Sequence, residues 1–328
     1  MAIGKASDLV IYNDEFYGGF VETLQQETEG FNAASNNTIQ LISEGHEGDY
    51  QKEAFYDVVS SLVGRRDTTS VSSQTDTALT ADELIGVKLN RKVKPISQAL
   101  DAWRKIGKTN SELSYVVGKQ MAKAIAQDKL ERALSALQAK LDATSALEVD
   151  KSGTGGLLTE YLVQALAKAG DKGKDIACWF MHSNCFYELM EDQIADTGSV
   201  YSAVGAQILT GSPATLGRPV VVTDSSYLKI TDGVSSGVDK YSTLGLFRGA
   251  AVVKESERLE VVTDLVTGLE NLAYRLQGEY AFTLSLRGCE YKTATGANPS
   301  DANVATGSNW TTQVADNKLL PGVIVLTK

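Results

Sequence analysis

Residues 109–142 read TNSELSYVVGKQMAKAIAQDKLERALSALQAKLD. The segment opens on Thr109-Asn110-Ser111-Glu112, a Thr-x-x-Glu capping box in which the threonine hydroxyl accepts from the third helical N–H and the glutamate reaches back. From Lys119 to Ser152 there is neither Gly nor Pro, and the good helix formers Ala, Leu, Lys and Gln dominate. Asp128 precedes Arg132 by four residues, the spacing that sets opposite charges side by side on a helix. A single helix over 109–142 is predicted, about 50 Å long at ~1.5 Å per residue, longer than most compact domains require.

Its apolar residues form two clusters rather than one stripe. Leu113, Val117, Met121, Ala124 and Ile125 share one side, and Leu130, Leu134, Leu137 and Leu141 another. At about 100° per residue the clusters point roughly 140° apart. A helix that serves one core keeps one face, so this one is expected to change partners along its length, like a beam between two sub-structures. A core helix with irregular patterning is the simpler alternative. Gly118, costly in a helix by ~1 kcal/mol, predicts a close backbone approach or a bend.

At 328 residues the chain holds two domains, or one large one with extensions. Its hydrophobic fraction of 43% and charged fraction of 22% are those of an ordered soluble protein. The opening Met1-Ala2-Ile3-Gly4-Lys5 leads into Asp8 without an apolar signal region, and no apolar run approaches the ~18 residues of a membrane span, so no membrane is expected. A net charge of −10 argues against a surface that grips nucleic acid. Cys178, Cys185 and Cys289 are odd in number and outside any zinc spacing, and read as reduced thiols of a cytoplasmically folded protein.

Residues 1–66 read as an arm. Eight of the chain's 21 Phe and Tyr fall in the first 56 residues, Tyr12, Phe16, Tyr17 and Phe20 among them, separated by polar, Gly-containing segments. Such spacing suits an extended chain that sets anchors on another surface, and equally a small lobe packing on its own chain. A short helix is predicted around Lys52–Val63. Residues 67–98 begin Ser/Thr-rich, and then Leu84–Lys94 alternates, with Val87, Leu89 and Val93 on one face and Lys88, Asn90, Lys92 and Lys94 on the other, up to Pro95. A two-stranded ribbon so poor in apolar area needs something to lie on, naturally another subunit. The basic cluster Lys88, Arg91, Lys92 and Lys94 is expected to meet acidic surface on neighbouring subunits.

After Gly153, Gly155 and Gly156, an amphipathic helix over Leu157–Leu166 closes at Gly170. Ile176–Met181 and Pro219–Thr223 read as buried strands, with a short helix capped by Ser183 or Asn184 between them. Tyr241–Phe247 and Leu259–Thr263 complete an α/β lobe from about 155 to 263. Leu276, Tyr280, Phe282, Leu284 and Leu286 then occupy even positions of a strand that should return along the long helix. Lys292–Gln313 reads as a polar loop and Leu319–Leu326 as a final strand.

The order of arm, long two-stranded loop, spine helix, α/β lobe and return strand resembles the major capsid proteins of tailed double-stranded DNA bacteriophages, the Hong Kong 97-type fold, in the α+β class. Trp179-Phe180-Met181-His182-Ser183 with Tyr187-Glu188-Leu189 is similar to the strand–helix step of the family's axial (A) domain. Gly217-Arg218-Pro219-Val220-Val221-Val222-Thr223-Asp224-Ser225 is similar to its G-x-P-V step, and Phe247–Val253 with Glu257–Val261 to its closing strands. The resemblance implies a structural head protein that assembles through hexamers and pentamers into an icosahedral shell around packaged DNA, held only non-specifically. It implies an extended (E) loop at 67–98, a peripheral (P) domain from 99–154 and 264–328, and an A domain at 155–263. It also implies a separate scaffolding protein, a portal, optionally a decoration protein, and assembly in the bacterial host cytoplasm. Tyr12, Phe16, Tyr17 and Phe20 of the arm and Lys88, Arg91, Lys92 and Lys94 of the E-loop are the contact candidates. One relative crosslinks an E-loop lysine to an asparagine, but no matching Asn or catalytic Glu is identifiable here.

Two other readings stand beside it. An encapsulin nanocompartment shares the fold and would enclose an enzyme instead of DNA. An α/β enzyme would use His182 and Cys185, where a helix N-terminus could lower a thiol pKa. The chain has only two histidines, however, and Gly170-Asp171-Lys172-Gly173-Lys174-Asp175 lacks the spacing and the Ser/Thr of a phosphate loop. No metal-ligand or cofactor pattern is present.

Overall fold

A computed structural model describes residues 20–26, 28–29, 31–42, 48–56, 68–69, 81–99, 110–197, 215–231, 239–266 and 273–328. The expected helix is there as Asn110–Asp142 (α2), preceded in the chain by helical residues 20–26, 28–29 and 31–34 (α1). Thr109, the cap residue, lies outside the described residues. The helix continues through Gly118, which is buried.

As the split apolar pattern requires, α2 has two sets of partners. Met121 and Ile125 are buried near the strands Ala251–Val266 (β9) and Ala273–Leu286 (β10), which α2 touches. Ala124, grouped with them by periodicity, is exposed. From Arg132 to Leu137 every residue is buried, because the C-terminal half is enclosed by the last strand, Gly322–Thr327 (β13), and the segment 301–309. Gly307 sits so close to the Ala139 carbonyl that a Cβ there would collide with it.

The first sheet has the order β1-β9-β10-β3-β2, with β1 at Ile39–Ile42, β2 at Tyr50–Tyr56 and β3 at Ala81–Ala99. β10 forms where predicted and buries Gly278, Tyr280, Phe282, Leu284 and Leu286 of the even face, but Ala281 and Thr283 of the odd face are fully buried too, so the alternation lapses in its middle. It returns along β9 and β3, antiparallel to both. Pro95 does not end β3. The register slips between Leu276↔Ile96 and Gly278↔Val93, so Lys94 and Pro95 together oppose Gln277. Such a bulge tolerates a proline that has no N–H to give. The helix expected around Lys52–Val63 is corrected: Tyr50–Tyr56 is a strand, antiparallel to Val87–Ala81, and residues 57–63 lie outside the described residues. Pairing with an open strand edge outweighs the helix preference of Lys52, Glu53 and Ala54, and Lys52 meets Glu83 across the pair at 2.7 Å. The ribbon therefore starts inside the stretch read as arm. Much of β3 lies on β10 of its own chain; only 81–86 pair with β2 alone.

The second sheet has the order β4-β13-β8-β5-β6, with β7 beside β8. Its strands are Glu148–Asp150 (β4), Ile176–Met181 (β5), Val220–Val222 (β6), Lys229–Thr231 (β7) and Asp239–Phe247 (β8). Thr159–Ala169 (α3) covers β13 and β4, and Ser183–Thr197 (α4) follows β5. Val323–Leu326 are buried without alternation, as a central strand covered on both faces must be. Trp179 lies flat against Gly245, where an added Cβ would come within 2.5 Å of the ring. Leu259–Thr263 belong not to this sheet but to β9, paired with β10. The expected polar loop 292–313 carries structure instead: Asp301–Val304 (α5) and Trp310–Thr312 (β12), which pairs with Cys289–Tyr291 (β11). Trp310 is buried against Tyr291, ring centroids 5.0 Å apart. Lys140 of α2 donates to the Trp310 carbonyl and Thr312 Oγ1, both at 2.8 Å, and burial lowers its pKa.

Candidate functional site

The contact candidates come out unequally. Tyr12, Phe16 and Tyr17 lie outside the described residues. Phe20 is 6% exposed and belongs to the core of its own chain, so its expected place as a free arm anchor is corrected. It starts the helical residues 20–26, and Leu24 and Phe31 pack against the same core.

The basic residues of β3 divide by strand parity. Val87 and Leu89 point into the core, and Val93 is packed against it. Arg91 has the same odd parity, so its guanidinium is carried to the helix-facing side. There Nη2 and Nε donate to the two oxygens of Asp128 on α2 at 2.5 and 2.9 Å, and Nη1 donates to Asp301 at 2.6 Å. Burial pulls the Arg91 pKa down, but the hydrogen bonds and charges of Asp128 and Asp301 outweigh it and hold it above its ordinary value. Tyr280, directly opposite Arg91 in β10, donates its hydroxyl to Asp128 at 2.8 Å. Burial and the Asp128 charge raise the Tyr280 pKa. Arg132, 7% exposed, closes the group with Asp301 at 3.1 Å and a 2.8 Å bond to the Tyr227 hydroxyl. The bidentate fork that suits guanidinium to carboxylate thus clamps β3, α2, β10 and α5 together.

Lys88, on the opposite face, pairs with Glu257 of β9 at 2.5 Å. The expectation that Lys88 and Arg91 await acidic partners on another subunit is therefore corrected: both have them in their own chain, because β9 brings Glu257 to one face of β3 while α2 and α5 bring Asp128 and Asp301 to the other. Lys92 and Lys94 are exposed and make no ion pair among the described residues. The parity of Arg91 was readable beforehand; its partners on α2 and α5 were not.

The residues of the enzyme reading form no nucleophile site. His182 Nδ1 accepts the Asn184 N–H at 3.2 Å and its Nε2 lies 3.7 Å from Asp224, so the imidazole closes the start of α4. The Cys185 thiol is fully buried, 3.7 Å from Thr327 Oγ1, and burial pushes its pKa up to about 11. A thiol so placed is inert. Among the described residues no group of three or more His, Cys, Asp or Glu could hold a metal, and no helix is long and apolar enough to cross a membrane.

One concentration of charge escaped the sequence reading. At the end of the second sheet where β5 and β6 begin and β8 ends, a cleft of about 570 Å³ is lined by Lys172, Lys174, Arg218, Arg248, Arg287 and Lys318, with Asp175 the one carboxylate on its wall. These six come from five separate stretches, and no local motif announces them.

Against known proteins, residues 8–324 match the Gp13-like family, described as major capsid protein 13-like. No curated protein sequence matches the chain. Among solved structures it is similar to a chain from Microbacterium phage Oxtober96, with 13% identity and a TM-score of 0.56 over 90% of this chain and 91% of that one. It is also similar to the capsid of Ralstonia phage GP4, with 13% identity and a TM-score of 0.52 over 77% and 84%. The acid-stable capsid of Helicobacter pylori bacteriophage KHP30 gives 11% identity and a TM-score of 0.51 over 90% and 89%. At such identities the likeness establishes a shared fold, the α+β Hong Kong 97-like fold.

Proposed function

This chain belongs to the Gp13-like family of major capsid proteins, and from that premise we propose that its copies close, through hexamers and pentamers, into an icosahedral head around packaged double-stranded DNA. The family match over residues 8–324 carries this reading. A capsid shell protein works through its interfaces, and we assign this one no chemistry of its own. The encapsulin alternative is not favoured, since the structural relatives named above come from phages.

Within the shell, the E-loop is the ribbon of β2 and β3, starting near residue 50 instead of 67. The P domain is α2 with the first sheet, and the A domain is the lobe built on β5, β6 and β8. Tyr12, Phe16, Tyr17, Lys92 and Lys94 remain the contact candidates. A scaffolding protein, a portal and optionally a decoration protein complete the particle, which assembles in the bacterial cytoplasm and resides in the virion. The acidic total of −10 suits a wall that lets DNA be packed and released.

Electron microscopy of the purified chain, with and without co-expressed scaffolding protein, tests the reading. Closed shells, capsomers or tubes are expected. A monomer under every condition overturns it.

A further inference from the structure

Among the described residues, four of the six cations of the basic cleft lack the carboxylate partners that Arg91 and Lys88 found. Lys318 is held by Asp171 at 2.9 Å and Lys172 stands 3.9 Å from Asp175. Lys174, Arg218, Arg248 and Arg287 have no carboxylate within 4 Å among the described residues. Arg218 is half-buried, donating only to the carbonyls of Ile176 at 2.9 Å and Gly173 at 3.0 Å. Arg287 donates to the Arg248 carbonyl at 3.3 Å and stacks over Phe247 at 5.5 Å. A guanidinium fixed by carbonyls and an aromatic face is aimed without being neutralised, which is how arginines are set to receive a carboxylate or phosphate.

We propose that this cleft is the seat of a short, carboxylate-rich segment presented by a second copy of the chain. The inference rests on the shell reading, which sets many identical copies side by side. Their acidic total makes carboxylates the commonest charge a neighbour can offer. The shape of the charge excludes a nucleic acid backbone as the better occupant. DNA carries one charge per ~1.7 Å of axis and is gripped by a cationic track along its length. Here the cations converge in one recess, and exposed Asp171, Asp175 and Asp316 stand beside its lysines, where they would repel a long polyanion but leave room for a side chain or two. Forks that engage a carboxylate across an interface fix orientation and register more than they add affinity.

The test uses the full chain assembled into particles. Exposed Lys174 is replaced by photoreactive p-benzoylphenylalanine, the particles are irradiated, and the cross-linked peptides are identified by mass spectrometry. The expected product is a dimer of this chain joined between position 174 and a peptide bearing Asp or Glu. In parallel, the Arg248→Glu/Arg287→Glu double variant is expected to assemble at least tenfold less well at equal subunit concentration, since two cations are reversed and even one lost interfacial charge pair costs about that much, with its unassembled thermal midpoint unchanged. Cross-links only to DNA or to a different protein, or none in closed particles, overturn the proposal. So does normal assembly of a folded double variant. Unaltered chain that never assembles overturns the shell reading itself and this inference with it, which separates the two failures.

Discussion

Replacing Arg91 with Met asks whether the basic run of β3 is held within the chain or left for a neighbour. The substitution keeps the length and the apolar stem while removing three charge-assisted hydrogen bonds, two to Asp128 and one to Asp301. Asp128 then retains the Tyr280 hydroxyl at 2.8 Å and Arg132 at 3.6 Å. Breaking a fully buried pair costs ~3–5 kcal/mol. Side-chain exposures of 23% for Arg91 and 20% for Asp128 lower that toward about 2–3 kcal/mol, because solvent screens what remains. At ~2–4 °C per kcal/mol for somewhat smaller domains, the thermal midpoint of the unassembled subunit should fall by on the order of 5 °C. Lys94→Met, at an exposed site on the same strand, serves as the control and is expected within ~0.5 kcal/mol of the parent. Calorimetry of the two variants, with Asp128→Asn completing a double-mutant cycle, measures the coupling, expected at about 1–2 kcal/mol. If Arg91→Met melts at the same temperature as Lys94→Met and the cycle shows no coupling, the clamp does not exist.

The remaining expectations concern the core and its charges. Burial raises the thiols of Cys178, Cys185 and Cys289 to about 12, 11 and 12, so a disulfide-exchange reagent at pH 8 should label none in the folded subunit and all after denaturation; rapid labelling of native Cys185 would revive its reactivity. Burial first, then Asp142 and Asp150, raise the pKa of Glu148. Folding therefore takes up a proton just above the ordinary carboxylate range, and this group's penalty is absent below its unfolded pKa and present once pH rises through its folded pKa. Glu148→Gln should then be more stable than the parent at pH 7, with the gap closing as pH falls toward ~4; a gap that ignores pH contradicts the assignment. Gly245→Ala drives a methyl into the Trp179 ring and should cost about 1–3 kcal/mol in a urea titration. Gly153→Ala, with nothing within 4 Å of the added carbon, is its control and should lose far less.

Several elements were legible in the chain because their cause is local. The composition of 119–152 and the split apolar clusters predicted a long helix with two sets of partners, and α2 has them. Period-two alternation located β10, and the continuous run Ile176–Met181 located β5. The stretch at 50–56 misled because Lys, Glu and Ala favour a helix locally, while the open edge of β3 satisfies its backbone only as a strand. Lys292–Gln313 misled because its polar composition hides one large anchor, Trp310, whose burial depends on Tyr291 and Lys140 far away in sequence.

The sequence alone determined the period of the elements whose cause is local, α2, β5 and β10 among them, and the face that Arg91 takes. Parity already set Arg91 apart from Lys88, Lys92 and Lys94, and it is the same parity that turned its charge inward. What a charge meets was decided by tertiary structure alone. Asp128, Asp301 and Tyr280 reach Arg91 only when α2, α5 and β10 are packed on β3. The six cations of the cleft are scattered from Lys172 to Lys318 and converge only where β5, β6 and β8 share one end of a sheet. Backbone periodicity is a property of neighbours along the chain, whereas electrostatic partnership falls off with distance in space and is indifferent to distance in sequence.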